Sequence, residues 1–462
     1  AEELGRHGLG RRPFIMQSNG GVADVAHARA RPIGLIGSGP AGGISGVAVL
    51  AARAGHPNVI ATDMGGTSFE VGLVIDGRPV MASEQVLDNY TFQISQLDLR
   101  SIACGGGSIA YVDPHSGGLR VGPRSAGADP GPACYGTGTE PTVTDADVVL
   151  GLISPEQFLG GRMELDRDAS VRAVQGLADE LGLTLEEAAG GILRVNSNNA
   201  ATLIRQRTIE QGLDPRDFVV YAFGGAGPVH AFSYAKELGI SEVVIPMGNG
   251  ASTLSAYGIA ASDVMRTFEH ESAISAPFDA KELSAVVTAL EDRARAAMAD
   301  AGFDPDALVM ERVAMARYAE QFMQELLLPI PAGKIDDDVA AGLQERFVAE
   351  YSRLYGEAAV AVFQAIEIFA IRISANLPLG FAPLTGEGRG AANGSPTTPD
   401  GKRDVYWPDA GEWISTDLYS RALAPGEQVA GPAIVQLPHT GVSVAPGQHL
   451  AADAVGSLIL SL

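Results

Sequence analysis

The chain has 462 residues, with 55 acidic against 32 basic side chains and a formal net charge of -23, which excludes the basic footprint that a nucleic-acid binder needs. Hydrophobic residues make up 46% and charged ones 19%, a globular composition with room for roughly two to four domains rather than disorder. Two cysteines, Cys104 and Cys134, cannot build a disulfide framework, and no apolar run reaches the ~18 residues of a membrane span, so a reducing, cytoplasmic setting with no membrane partner is expected.

The chain opens on Ala1, and its first residues read as the tail of a helix running into a strand. A preceding portion, or a separate chain that supplies it, is therefore expected. Pro13 to Gln17 is a short apolar run followed by the turn Ser18-Asn19-Gly20-Gly21, and Ile33 to Ile36 reads as a second short strand ending in Gly37-Ser38-Gly39-Pro40. Ala41 to Ala54 reads as a helix of small residues stopped by Gly55 and Pro57. Asn58 to Thr62 is a buried strand, Asp63-Met64-Gly65-Gly66-Thr67-Ser68 follows it, and Phe69 to Ile75 is a strand that turns back at Asp76-Gly77 into Arg78 to Met81.

Residues 99–141 are rich in Gly and Pro and read as a long ordered loop region. Thr184 and Glu187 have capping-box spacing and open a long helix that ends near Gln211. Phe218 to Phe223 is an apolar strand; Gly224-Gly225-Ala226-Gly227-Pro228 turns it into a helix that runs through Leu238, and Val243 to Ile245 is the next strand. Asp279 and Glu282 cap a helix to about Ala301, 311–330 read as paired strands, 339–355 as a helix and 365–374 as a strand. The composition of 386–402 is that of a linker, and 403–462 reads as short strands of a small β domain. The expected division is thus a nucleotide-binding unit at 1–270, an α+β unit at 271–385, the linker and the β domain.

Three glycine constellations carry candidate chemistry. Gly37-x-Gly39-x-x-Gly42, between an expected strand and a helix, matches a dinucleotide fingerprint, and Asp63 lies near the distance at which such a fold places its ribose-binding acid. The alternatives are tight helix packing and a helix N-terminus facing phosphate. The Asp63 turn is the stronger signal. Its backbone N–H groups and two hydroxyls suit phosphate oxygens, and its carboxylate suits Mg²⁺ or the orientation of an attacking oxygen. The plain alternative is an Asp-capped hairpin. The bend at Gly224-Gly225 offers bare backbone to a flat base or a ribose, and with the Asp63 turn it makes an actin-like nucleotide cleft. Cys104 beside Gly105-Gly106-Gly107 has the setting of a thiolate nucleophile or of a small buried residue, and His230 reads as a packing residue.

Seven motifs occur in order: S-G-P-A-G-G at 38–43, D-M-G-G-T-S at 63–68, G-G-G-S-I-A at 105–110, V-G-P-R-S-A-G-A-D-P-G-P-A-C-Y-G at 121–136, P-T-V-T-D-A at 141–146, F-L-G-G-R-M at 158–163 and F-G-G-A-G-P at 223–228. On these residues the chain resembles the hydantoinase A / 5-oxoprolinase family, which includes the ATP-binding subunits of acetone and acetophenone carboxylases. The resemblance implies an α/β, actin-like (ribonuclease H-like) ATPase fold, here incomplete at its N-terminus. It implies ATP with Mg²⁺, and a hydantoinase-B-like partner in a hetero-oligomer.

Carried onto this sequence, Asp63 holds the metal or the attacking group. Gly65, Gly66, Thr67 and Ser68 line the phosphates, Gly224, Gly225 and Ala226 face the nucleoside, and Ser38 and Gly39 sit near the same cleft. Arg124, Asp129 and Asp145 are substrate or interface candidates, or ion pairs that hold an irregular loop. The implied reaction is ATP-dependent activation of a carbonyl for ring-opening hydrolysis of a hydantoin, 5-oxoproline or lactam. Ketone carboxylation is the alternative, and a nucleotide-gated scaffold without turnover is a rival of another class. Two positions depart from the family: Phe69-Glu70 where Phe-Asp or Thr-Asp is usual, and Cys104 where Ala or Gly is usual. Only one Asp-led phosphate turn is present, so the chain alone is expected to hydrolyse ATP poorly.

Overall fold

The computed structural model describes residues 2–8, 13–87, 89–321, 325–361, 364–381 and 397–462. The first elements are α1 (Glu2–Arg6), β1 (Phe14–Met16), β2 (Val22–Asp24) and α2 (Val25–Ala30), the last capped by Asp24, whose carboxylate accepts from His27 N. The run Ile33 to Ile36 is no strand. Pro32 stands at the first position of a short 3₁₀ turn, Pro32–Leu35, and Ile33 is 38% exposed. Proline fixes the backbone dihedral that such a turn requires, and without burial the apolar run has no sheet to join.

Helix α3 (Ser38–Ala54) follows, then β3 (Val59–Met64), β4 (Phe69–Ile75) and β5 (Arg78–Pro79). A hairpin, β6 (Met81–Leu87) with β7 (Tyr90–Leu97), leads to β8 (Arg100–Ile102), β9 (Ser108–Val112) and β10 (Leu119–Ser125). The expected loop region 99–141 therefore contains an antiparallel ribbon, β9 with β10, and a strand that pairs with β4. Three helices come next: α4 (Val143–Leu150), α5 (Arg167–Leu181) and α6 (Leu185–Glu210). The last opens on the Thr184/Glu187 capping box, with Thr184 N donating to Glu187 Oε2 at 2.8 Å and Glu187 N donating to Thr184 Oγ1 at 3.2 Å.

Strand β11 (Val219–Phe223), α7 (Gly227–Glu237) and β12 (Glu242–Ile245) complete the central unit, and α8 (Leu254–Ala261) packs back on α3. Glycines set that crossing: a Cβ at Gly258 would lie 1.8 Å from Gly42 O, and one at Gly42 would lie 2.8 Å from Ser255 O. The third glycine of the fingerprint-like run is thus spent on helix packing. With no strand ahead of it, the dinucleotide reading loses its structural context.

The remaining elements are β13 (Val264–Ser275), α9 (Ala280–Asp300), β14 (Val309–Tyr318), β15 (Leu326–Ile330), α10 (Asp337–Tyr355), β16 (Ile366–Leu377), β17 (Gly401–Trp407), β18 (Glu412–Tyr419), β19 (Gln428–Ala430), β20 (Ala433–Leu437), β21 (Thr440–Val444), β22 (His449–Ala452) and β23 (Leu458–Ser461). The main mixed sheet runs β19-β22-β23-β12-β11-β3-β4-β5. Within it β12, β11 and β3 are parallel, while β4 and β23 are antiparallel to their neighbours. The inner strands are almost continuously apolar because helices cover both faces. Thr62 reaches the Tyr234 hydroxyl on α7 at 2.8 Å, whereas Phe223 packs under Gly43 of α3.

A second sheet, β1-β2-β13-β16-β14-β15, carries α9 and α10 over a separate core that includes Leu283, Tyr318 and Phe347. Its first two strands come from the chain's beginning, so the expected boundary near 270 does not divide the strands between units. Residues 403–462 are likewise divided. β17-β18-β20-β21 form their own sheet, while β19, β22 and β23 extend the main one. The expected linker at 386–402 falls largely on 382–396, outside the described residues, and its end already belongs to β17. Among the described residues no helix is long and apolar enough to cross a membrane.

Candidate functional site

The parallel register places Asp63, at the end of β3, directly opposite Phe223, at the end of β11, so the two glycine turns leave the sheet side by side. Gly224, with φ 82°, curls against Asp63: a Cβ there would lie 2.3 Å from Asp63 Oδ1, and Ala226 N donates to Met64 O at 2.9 Å. Any side chain at 224 would strike the carboxylate. Across the antiparallel ladder the partner of Asp63 is Glu70, whose Oε1 accepts from Ser101 Oγ at 3.2 Å. Burial, with the neighbouring Glu70 charge, pushes the Asp63 carboxyl up to about 7.

The turn itself is closed by Gly65 N donating to Ser68 O at 3.2 Å. The N–H groups of Gly66, Thr67 and Ser68 have no partner among the described residues. Nothing lies within 4 Å of a Cβ built at Gly65 or Gly66, so this side of the turn is open. The other side is walled by a second glycine run. Gly106 N donates to Gly65 O at 3.0 Å and Gly107 N to Gly66 O at 2.6 Å. A Cβ at Gly105 would sit 2.6 Å from Thr67 N, so only glycine lets the two backbones stack. Behind this wall, Thr144 N and Oγ1 both donate to Gly106 O, at 2.8 and 2.9 Å. The layers are therefore α4, then Gly105–Gly107, then the Asp63 turn. An arrangement of unpaired N–H groups on a rigid backing binds anions, phosphate oxygens in particular.

Beyond Gly225 lies a narrow, open cleft of about 70 Å³ lined by Phe158, Leu152, Val229, Gln436, His439 and Thr440 among others. Thr440 Oγ1 donates to Gly225 O at 3.0 Å, and Gln436 Oε1 is buried there without a partner. Ser38 and Gly39 form the open N-terminus of α3, which no side chain caps. The packing of Gly43 on Phe223 puts this end at the same edge of the sheet as Asp63. No hydrogen bond joins Ser38 or Gly39 to the Asp63 turn among the described residues.

The three remaining expected residues separate. Arg124 is exposed on β10, pairs with Glu140 at 3.0 Å and lies 5.5 Å from the centroid of the Tyr111 ring. Asp129 stands exposed in the turn after β10. Asp145 is fully buried, and both of its oxygens are occupied. They accept from Ala133 N, Cys134 N, Thr142 N, Thr142 Oγ1 and Ser170 Oγ, at 2.7–3.1 Å. It caps α4 and holds the 133–135 turn, with no lone pair turned toward a substrate. Cys104 is buried as well; its thiol is pushed up to about 12 by desolvation and donates to Asn196 Oδ1 at 3.0 Å, which removes it as a nucleophile. His230 is packed, with Nε2 3.3 Å from Asp147 Oδ2. Glu70 enters the sequence reading only as a departure from the family beside the Asp63 turn, and Thr144, Gln436 and His439 do not enter it as site residues. Of these only Glu70 has a local signal, a carboxylate two residues past the D-M-G-G-T-S motif where the family has Asp.

Two carboxylates side by side suit a divalent cation that takes its other ligands from phosphate and water. Among the described residues no group of three or more His, Cys, Asp or Glu could hold a metal alone. A family model described as hydantoinase/oxoprolinase matches residues 2–268, and one described as the hydantoinase/oxoprolinase C-terminal domain matches 271–460. The acetophenone carboxylase gamma subunit of Aromatoleum aromaticum is 33% identical, over 99% of this chain and 63% of the relative. The crystal structure of an ATP-dependent caprolactamase from Pseudomonas jessenii matches with a TM-score of 0.86 at 30% identity, covering 98% of this chain and 65% of that one. A nucleotide-free acetone carboxylase structure matches with a TM-score of 0.77 at 26% identity, covering 99% and 66%. The chain thus spans about two thirds of the length of each.

Proposed function

The chain belongs to the hydantoinase/oxoprolinase family, and from that premise we propose that it carries the second phosphate turn and the nucleoside bend of an ATP-dependent enzyme that activates a carbonyl for ring-opening hydrolysis of a cyclic amide. The observation that carries this reading is the Asp63 turn: open on one face, backed by Gly105–Gly107, with three free N–H groups and in direct contact with the Gly224 bend.

The strand order β5-β4-β3-β11-β12, with β4 alone reversed, supports the ribonuclease H-like, actin-like reading of the main sheet. In this reading Gly66, Thr67 and Ser68 hold the phosphate tail through backbone N–H groups and the two hydroxyls. Asp63, with Glu70 beside it, would hold Mg²⁺, whose charge relieves the repulsion between the two carboxylates and neutralises the phosphates. The cleft beyond Gly225 takes the base, where Gln436 Oε1 accepts from an exocyclic amine. Bound ATP supplies a phosphoryl group that converts a poor carbonyl leaving oxygen into a good one. The alternative role, orientation of the attacking oxygen, suits the metal-free Asp63 carboxyl, which titrates near neutrality. The chain holds one Asp-led turn of this kind, so the other wall of the hinged pocket is assigned to polypeptide outside it. The reacting ring is assigned to a hydantoinase-B-like partner subunit.

A second reading, ATP-dependent ketone carboxylation, is favoured by the 33% identity to an acetophenone carboxylase subunit over nearly all of this chain. The two are separated by measuring ATP hydrolysis of the complete assembly with hydantoin, 5-oxoproline and lactams on one side, and with ketones plus bicarbonate on the other. Stimulation by the cyclic amides and its loss in Asp63→Asn is expected. Stimulation only by ketone and bicarbonate would select the carboxylase reading. No stimulation by either would leave the scaffold alternative.

A further inference from the structure

Away from the Asp63 turn, a cavity of about 390 Å³ opens between α6, α7 and the loops that follow β17 and β21. Its walls are apolar. Leu193, Phe232 and Trp407 face it, and the Phe232 and Trp407 rings meet edge to face at 5.8 Å. Two buried polar groups interrupt this lining. Ser197 is 4% exposed, and its Oγ has no hydrogen-bond partner. His230 is 2% exposed, and its Nε2 lies 3.3 Å from Asp147 Oδ2 without a hydrogen-bond partner. A buried hydroxyl left unpaired carries an uncompensated desolvation cost, which a ligand group or water in the cavity offsets.

The mouth is cationic. Arg194 and Lys236 both line it; Lys236 pairs with Asp409, whereas Arg194 has no ion pair among the described residues. In a chain of net charge -23, an uncommitted guanidinium beside an apolar, aromatic cavity selects against neutral and cationic occupants. It matches a carboxylate in charge and in planar geometry.

We propose that this cavity is a second small-molecule site, for an organic monocarboxylate with an aromatic or compact apolar body and a second hydroxyl or carbonyl group. The body packs between Leu193, Phe232 and Trp407, the carboxylate pairs with Arg194, and the second polar group meets Ser197 Oγ beside His230. The site is independent of the nucleotide assignment. It uses no residue of the Asp63 turn or of the Gly225 cleft.

The test reads Trp407 fluorescence in the intact chain carrying Trp413→Phe. The chain has two tryptophans, and Trp413 is 43% exposed while Trp407 is buried. The probes are 4-hydroxyphenylacetate, phenylacetate and the neutral alcohol 4-hydroxyphenethyl alcohol. Saturable binding in that order of affinity is expected. Arg194→Gln, an exposed change that leaves the core intact, weakens both acids at least tenfold, brings 4-hydroxyphenylacetate level with the alcohol and leaves phenylacetate below both. Ser197→Ala reduces 4-hydroxyphenylacetate to the affinity of phenylacetate and leaves phenylacetate unchanged. Absence of saturable binding, equal binding of acid and alcohol, or acid binding indifferent to Arg194→Gln would each overturn the proposal. A Ser197→Ala effect equal on both acids would remove the second polar contact and with it the stated ligand class.

Discussion

At Asp63, burial and the Glu70 charge act in the same direction, and the carboxyl titrates at about 7 instead of its ordinary 3.8. Two consequences follow from the sign. Any activity that needs the ionised group falls as pH drops through 7. Glu70→Gln removes one of the two causes, so the acid limb of a kcat/KM–pH profile of the assembly should move to lower pH, and an unmoved limb would separate that limb from Asp63. The second consequence concerns stability. Below 3.8 the group is protonated both folded and unfolded. Between 3.8 and 7 the folded chain holds the extra proton, so stability is lost as pH rises through this window and stays low above it. Asp63→Asn removes the burden. Allowing for the partial exposure of the side chain, the variant should be more stable than the parent by ~2 kcal/mol at pH 8, with the gap closing toward pH 4, in urea unfolding followed by circular dichroism. A residue that lowers stability while supporting turnover has the usual signature of a functional site.

The phosphate turn depends on an element it does not belong to. Gly105→Ala puts a methyl 2.6 Å from Thr67 N, and backbone lies on both sides of the contact, so the turn must shift. Nucleotide affinity measured by calorimetry should fall at least tenfold, while far-UV circular dichroism stays that of the parent. Unchanged affinity would show that the Gly105–Gly107 wall does not position the turn. This dependence marks how far the sequence could be read. The Asp63 turn and the Gly224 bend were legible because each is a local strand–turn pattern, and the parallel register of β3 and β11 then brings them together. The Gly105–Gly107 run was visible as glycines, but its task comes from stacking on residues some forty positions earlier and has no local pattern. Asp145 was weighed as a substrate residue although Thr142 and Asp145 already stand at capping-box spacing, and the structure gives them that use. Pro32 likewise foretold a turn where the hydrophobicity of Ile33 to Ile36 suggested a strand. Gln436 and His439 reach the Gly225 cleft from the last strands of the chain, and only the completed fold brings them there.

Over the whole molecule, two large hydrophobic cores share one chain with a small cluster of Cys134, Val148 and Leu165. The larger lies under the main sheet and includes β23 residues such as Leu460. The other lies between the second sheet and α9 and α10. They meet along a seam that α9, β13 and β16 share, with Met298, Val264 and Ala375 in the larger core and Leu290, Ile274 and Ile371 in the other, and Phe268 and Met310 pack against both. All site residues assigned to the nucleotide sit on the larger core. Substructures with their own packing can unfold separately once one is weakened, even across such a seam. Phe347 is fully buried in the second core, with its ring 5.1 Å from that of Tyr318. Phe347→Ala removes an aromatic ring from a packed site and should cost about 3–5 kcal/mol there. Scanning calorimetry should then resolve two transitions, of which only the later one rises when ATP and Mg²⁺ are added, because ligand stabilises only the unit that binds it. A single transition that shifts as a whole with nucleotide would mean that the seam couples the cores fully. In that case the second sheet would be part of the same cooperative body as the cleft.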